Sequence, residues 1–345
     1  MSETEPIPVF DGHNDALLRL WRKGGDVAAR FASAEGHVNL PAAEAGGLSG
    51  GFFAIFSPGA EGLDFRIFDN PPYDTPLPPE LKPAAAMNTA MGQAGVAHRL
   101  AEAGHLRMIR TAADLGAEGP GLACLLHLEG AECIGPDLLA LDALYALGLR
   151  SVGPVWSRPT VFAHGVPFRF PSDGDTGPGL TEDGRRLAGS LKSKGMVLDT
   201  SHMTMKGFFD VADEDLPLVA THSNAHAICP SARNLTDDQL RAIGETGGMV
   251  GLNFGTVFLR EDGGRGADVP METLVRHLAH MIETAGEDHV GLGSDFDGAP
   301  MPEGMQSAAD LPNLTAAMEA AGFGADLIAK IFQANWHAFL ARTLP

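Results

Sequence analysis

Apolar runs of strand length recur along the chain, and most of them stop abruptly at a histidine, glutamate or aspartate. Ile7-Pro8-Val9-Phe10 meets Asp11-Gly12-His13-Asn14-Asp15, and Leu122-Ala-Cys-Leu-Leu-His-Leu-Glu129 ends on its own carboxylate. Gly195-Met-Val-Leu-Asp-Thr-Ser-His202, Leu218-Val-Ala-Thr-His222 and His289-Val-Gly-Leu-Gly-Ser-Asp295 repeat the arrangement. Short apolar runs bounded by Gly, Asp or Pro read as buried strands. Three more, Phe52–Phe56, Leu149–Trp156 and Gly248–Phe254, lack such a terminus. Between the runs lie helical stretches, expected over 16–30, 84–104, 137–147, 181–194, 206–212, 236–245 and 270–285, with two more over 307–342. Thr236 is the expected cap of its helix, because a threonine oxygen can take an otherwise unpaired first-turn N–H. Segments 57–82 and 157–180 are long, rich in Gly, Pro and Asp, and without periodicity, as functional loops often are.

Eight strands alternating with helices, with no glycine fingerprint of a dinucleotide fold after the first, predict a (β/α)8 TIM barrel, and we expect one catalytic domain over 1–345. Such barrels run to ~250 residues and to more than ~400 with insertions. The excess falls in the loops after strands two, four, seven and eight. All four would lie on one rim, where barrel enzymes keep their active sites.

Composition narrows the setting. With 44% hydrophobic and 20% charged residues the chain is an ordinary globular protein. A formal net charge of −20 argues against nucleic acid or an anionic membrane as partner. Cys124, Cys133 and Cys229 are odd in number and widely spaced, which suits reduced thiols. Residues 1–6 show no secretory pattern and no apolar run reaches membrane-spanning length, so a cytoplasmic location is expected.

The strand ends carry the chemistry. Alternate side chains of extended backbone leave on one side, so His13 and Asp15 can aim at one point. If the ends converge, His13 and Asp15 would serve one metal, His202 and His222 a second, and Glu129 could bridge them. Imidazole and carboxylate donors suit borderline ions, with zinc the default and manganese or cobalt as alternatives. Two ions ~3.5–4 Å apart would share a water and bring its pKa towards ~7, and Asp295 would pass that water's proton to the leaving group. His127 is read as structural, Asp199 and Asp297 as residues that orient histidines, and Asp11 and Asn14 as shaping a turn.

Asp11-Gly-His-Asn-Asp15, Leu128-Glu129-Gly130, Asp199-Thr-Ser-His202, Thr221-His222-Ser223, Ala232-Arg233-Asn234 and Gly293-Ser-Asp-Phe-Asp-Gly298 together resemble, in order and spacing, the motifs of the renal (membrane) dipeptidases of the amidohydrolase superfamily. The resemblance implies a binuclear zinc centre on His13, Asp15, Glu129, His202 and His222, with Asp295 as acid/base. It also implies hydrolysis of dipeptides, the C-terminal residue D-configured in some, and a homodimer. Arg233 lines up with the arginine that binds the substrate's terminal carboxylate, a task its guanidinium fork suits. One position departs: these dipeptidases place a histidine after the fourth strand, where this chain has Trp156. His164 in the same loop is the candidate substitute. Two alternatives to a dipeptidase stay open: an amidohydrolase acting on a lactam or cyclic amide, and a metal-binding barrel with little hydrolytic activity.

Overall fold

The structure, a computed structural model, describes residues 6–59 and 64–345. Eight parallel strands form the barrel wall: β1 Val9–Asn14, β2 Leu48–Phe56, β3 Leu122–Glu129, β4 Leu149–Gly153, β5 Val197–Leu198, β6 Val219–Ala220, β7 Met249–Leu252 and β8 Val290–Leu292. Each pairs with its sequence neighbour except β5 with β6, and β1 pairs with β8 at Asp11 and Leu292. The seam between β5 and β6 is the thinnest. A single bridge, Asp199 to Val219, joins them, reinforced by Thr200 N–H donating to the Val219 carbonyl at 2.7 Å. The expected barrel is therefore the fold.

Alternation along β3 explains the layering, since side chains of a strand point to opposite faces in turn. Cys124, Leu126 and Leu128 pack outward against the helices. Ala123 and Leu125 point inward and meet Phe10, Phe52, Val197, Val219 and Met249 in an apolar layer inside the barrel. His127 and Glu129 continue that inward row, one step and two steps nearer the rim. Below the apolar layer the C-terminal helix closes the barrel floor with Trp336, Phe339 and Leu340. Helical residues Ala325–Ala329 and Asn335–Thr343 flank one wider π turn, Lys330–Ala334, in that segment.

Several boundaries differ from expectation for identifiable reasons. Asp11-Gly12 does not stop β1. A Cβ on Gly12 would lie 2.6 Å from the Thr221 carbonyl oxygen and 2.8 Å from the Trp336 ring, so the glycine permits close approach inside the strand and makes no turn. Gly50 and Gly51 likewise belong to β2, pressed against β3 and β1. The first helix breaks at Gly24 and Gly25, both at positive φ, into Ala16–Lys23 and Val27–Phe31. An unforeseen helix, Leu40–Gly46, starts on Asn39, whose side chain accepts the Ala42 N–H at 2.9 Å. Pro154 ends the fourth strand before Trp156 is reached. Leu106–Met108, unforeseen, adds a ninth strand beside β3.

The loop expected over 57–82 contains the four residues 60–63, which lie outside the described residues. Its remainder holds the short strand Tyr73–Asp74, paired antiparallel with Arg169–Phe170 from the other long loop. The Arg169 guanidinium donates to Asp74 Oδ1 at 2.8 Å. The two rim loops thus hold each other over the barrel mouth. Among the described residues no helix is long and apolar enough to cross a membrane.

Trp336 is fully buried, donates its indole N–H to the Leu292 carbonyl at 2.9 Å and packs against Phe52 at 5.1 Å between ring centroids. Trp336→Ala should therefore cost about 3–5 kcal/mol, measured by chemical denaturation.

Candidate active site

The inward row that starts with Leu125 delivers Glu129 to the rim, and five further donors converge on it. His13 at the end of β1 places Nε2 3.8 Å from Glu129 Oε2 and 3.5 Å from Asp15 Oδ2. Asp15 is not on the strand. It stands before the first helix with ψ 23°, and the turn rather than extended alternation brings it beside His13. His202 Nε2 and His222 Nε2 lie 3.0 and 3.5 Å from Glu129 Oε1 and 3.1 Å from each other. The His13 and His222 rings overlap with centroids 3.9 Å apart. Asp295 joins His13 and Asp15 in a second compact donor group beside that of His13, Glu129 and His222.

His202 and Asp295 are turn residues, set in left-handed backbone with φ 67° and 59°, four and three positions past the ends of their strands. The expectation that their strands run up to them is corrected here. Aspartate and histidine are, with asparagine, the non-glycine side chains found most often at such φ, and each still carries some backbone strain there.

The sequence motifs are matched over nearly their whole extent by one family: the model of membrane dipeptidases, peptidase family M19, covers residues 4–341. The chain belongs to the membrane dipeptidase family. It is similar over 98% of its length to a metallo peptidase from Rhodobacter sphaeroides liganded with a phosphinate mimic of the dipeptide L-Ala-D-Ala, with 51% identity, 99% of that chain covered and a TM-score of 0.94. The dipeptidase AC, a metallo peptidase of family M19, matches with 51% identity, a TM-score of 0.93, and 98% and 99% of the two chains covered. A Klebsiella pneumoniae protein in the pqqA 5′ region is 47% identical over 237 residues, 68% of this chain and 88% of its own length. The family makes this chain a peptide-bond hydrolase of metallopeptidase type.

For a membrane dipeptidase the donor cluster must fit a divalent ion, and it does. Both ring nitrogens of His13 and Asp15 Oδ1 are buried without any hydrogen-bond partner. Polar atoms are seldom left so in a protein interior unless something else satisfies them. Two imidazole nitrogens facing one carboxylate oxygen, with more carboxylates alongside, form an N/O donor set suited to borderline divalent ions.

The protein's own charges show the same demand. Burial raises the Glu129 carboxyl well above its ordinary value, and the neighbouring Asp15 and Asp295 add to it. Asp295 rises for the same two reasons, burial first, against the opposing pull of His13. Burial alone would lower His13, but Glu129, Asp15 and Asp295 together outweigh it and push the imidazole up to about 10. His202 and His222 are driven well below the usual range by burial and by the positive charges of Arg233 and His13. With protein groups alone, the site holds its excess negative charge by keeping protons. A divalent cation would take their place.

Arg233 is buried behind His222. It donates from Nη2 to the His222 carbonyl at 3.1 Å and from Nη1 to Ser223 Oγ at 3.4 Å, while Nε has no partner. Burial brings its guanidinium down to about 10 despite the opposing carboxylates, Asp295 foremost. Trp156 packs at 5.8 Å against the His202 ring and continues into Phe56 and Phe168. His164 lies in the stretch that runs beside His202, where Val166 N–H donates to the His202 carbonyl at 2.7 Å. Its ring makes none of the hydrogen bonds, ion pairs or ring contacts of the centre, so the structure does not bring it in among the donors.

Other expectations need revision. Asp11 shapes no turn: it staples β1 to β8 by accepting the Ser294 N–H and Oγ–H, each at 2.7 Å. Asp297 orients no ligand histidine; it binds Arg19 and the backbone of His37 and Val38. Sequence reasoning missed Asn253, whose Nδ2 donates to Asp295 Oδ2 at 2.9 Å, and Ser157, whose hydroxyl lies 2.9 Å from His202 Nδ1. A lone polar residue closing the apolar run of β7 was the available sign of Asn253. It also missed Gly298, on which a Cβ would overlap both Asp15 Oδ2 and Asp295 Oδ1. Gly298→Ala is expected to lower the metal content of the purified protein, read by elemental analysis, with the far-UV circular dichroism unchanged.

Proposed function

We propose that the protein is a zinc-dependent dipeptidase that cleaves free dipeptides, including those with a D-residue at the C-terminal position. The observation that carries this is the unpartnered His13 imidazole set among the carboxylates of Asp15, Glu129 and Asp295, in a chain half identical to a metallo peptidase seen with a dipeptide mimic. Two Zn2+ would be held by these donors, one by His13 and Asp15 and one by His202 and His222, with Glu129 shared. Bound there, the ions would supply Lewis acidity and lower the pKa of a water to ~7.

The chain's own residues do the rest. Asp295, fixed through Oδ2 by Asn253, takes the proton of the attacking water and delivers it to the amine that leaves. Arg233, with its Nη groups held and Nε unpaired, grips the substrate's terminal carboxylate and so sets which bond reaches the centre. Trp156, half-buried against His202, forms an apolar flank for the substrate. The three cysteines are unpaired and buried, which supports a reducing, cytoplasmic setting.

Removing metal with a chelator should abolish cleavage of L,L and L,D dipeptides, and zinc should restore it. Turnover that persists after complete metal removal would overturn the proposal. Arg233→Met should cut kcat/KM by about 10²-fold or more on free dipeptides, since it strips one partner from a buried charge pair, while sparing C-terminally amidated substrates. Equal losses on both would take the carboxylate from Arg233.

A further inference from the structure

Thr221 and Asp199 lie outside the donor set, both almost wholly buried. The Thr221 hydroxyl oxygen is 2.7 Å from Asp199 Oδ2 and 2.9 Å from His222 Nδ1. Asp199 Oδ1 accepts the N–H of Ser201 at 3.0 Å and of Thr221 at 2.9 Å, and His127 Nε2, itself without a hydrogen-bond partner, stands 3.4 Å from Oδ2. A carboxylate so placed accepts from Thr221. A hydroxyl has one hydrogen and two lone pairs, so once that hydrogen goes to Asp199 the oxygen can only accept from His222. The imidazole then carries its proton on Nδ1, and its lone pair is on Nε2. That is the atom 3.5 Å from Glu129 Oε1 and 3.1 Å from His202 Nε2.

We propose that Asp199 and Thr221 are positioning residues: Asp199 sets the direction of the Thr221 hydroxyl, which holds His222 in the Nδ1–H tautomer with Nε2 open to a divalent cation. The proposal rests on the metal centre proposed above. It adds a link between wall and site, because Asp199 is also the residue that bridges to Val219 and joins β5 to β6. One residue thus serves both: its backbone makes the bridge between the strands, and its carboxylate holds Thr221, the residue before the ligand His222. Ring-orienting partners of this kind typically change metal affinity by ~10–100-fold when removed.

The test uses the full chain stripped of metal and titrated with Zn2+ against a competing chelator, for wild type, Thr221→Ser and Thr221→Val. Thr221→Ser keeps the hydroxyl and should bind within about threefold of wild type; Thr221→Val, isosteric without it, should bind ~10–100-fold more weakly. A folded Thr221→Val protein that matches wild type overturns the positioning role. A wild-type chain that takes up no zinc instead overturns the metal centre beneath it. Nitrogen-15 spectra of metal-free wild type, with His222 assigned by its loss in His222→Gln, read the tautomer directly and do not depend on whether Thr221→Val folds. Nδ1–H is the expected form, and Nε2–H overturns the proposal.

Discussion

Glu129 holds its carboxylate inside a closed barrel where bulk water cannot compensate it, with Asp15 and Asp295 close by. Burying one such charge unpaired is costly, and clustering several compounds the cost unless a positive charge is supplied. The arrangement depends on meeting that demand. Arg233 contributes a fixed positive charge from behind, His13 a charge bought only by holding a proton, and a divalent cation would satisfy all three carboxylates at once. The chemistry expected of the site is the same fact seen from the substrate's side.

The barrel stacks its interior so that this cost is localised. Phe10, Phe52 and Leu125 fill the lower layer, sealed underneath by Trp336, so that apolar side chains underlie the charges above. His127 forms the transition. Burial drives its imidazole down to about 3, so it stays neutral between the apolar layer and the ionised one, packed edge-on to His13 at 5.5 Å. A charged residue at that level would face three neighbouring imidazoles with little solvent to screen it.

Glu129 was legible in the sequence because period-two alternation carries from Leu125 to the rim without interruption. The wall as a whole was legible for the same reason: runs of Val, Leu and Ile buried on both faces have few other uses. Where alternation ends, so does the reach of pattern. Asp15, His202 and Asp295 stand on turns, two of them at positive φ, and the positions of such side chains follow from tertiary packing that no local window contains. Glycine misled in the opposite direction. Gly12 reads as the stop of its strand and Gly50 and Gly51 as lying ahead of theirs, yet all three lie inside strands, where neighbouring backbones approach too closely for a side chain. Ser157 and Asn253 escaped notice because a single hydroxyl or amide has no periodic signature; only its neighbour across the barrel gives it meaning.

The staple between Asp11 and Ser294 joins residues 283 positions apart, and beside it the Asp295 N–H donates to the His13 carbonyl at 3.0 Å, so the donors His13 and Asp295 meet where the two ends of the chain close the ring of strands. No continuous fragment of moderate size can therefore assemble the full coordination set. A divalent ion would find its full donor set only in molecules whose ring of strands is already complete, which would make metal uptake an inspection of finished folding.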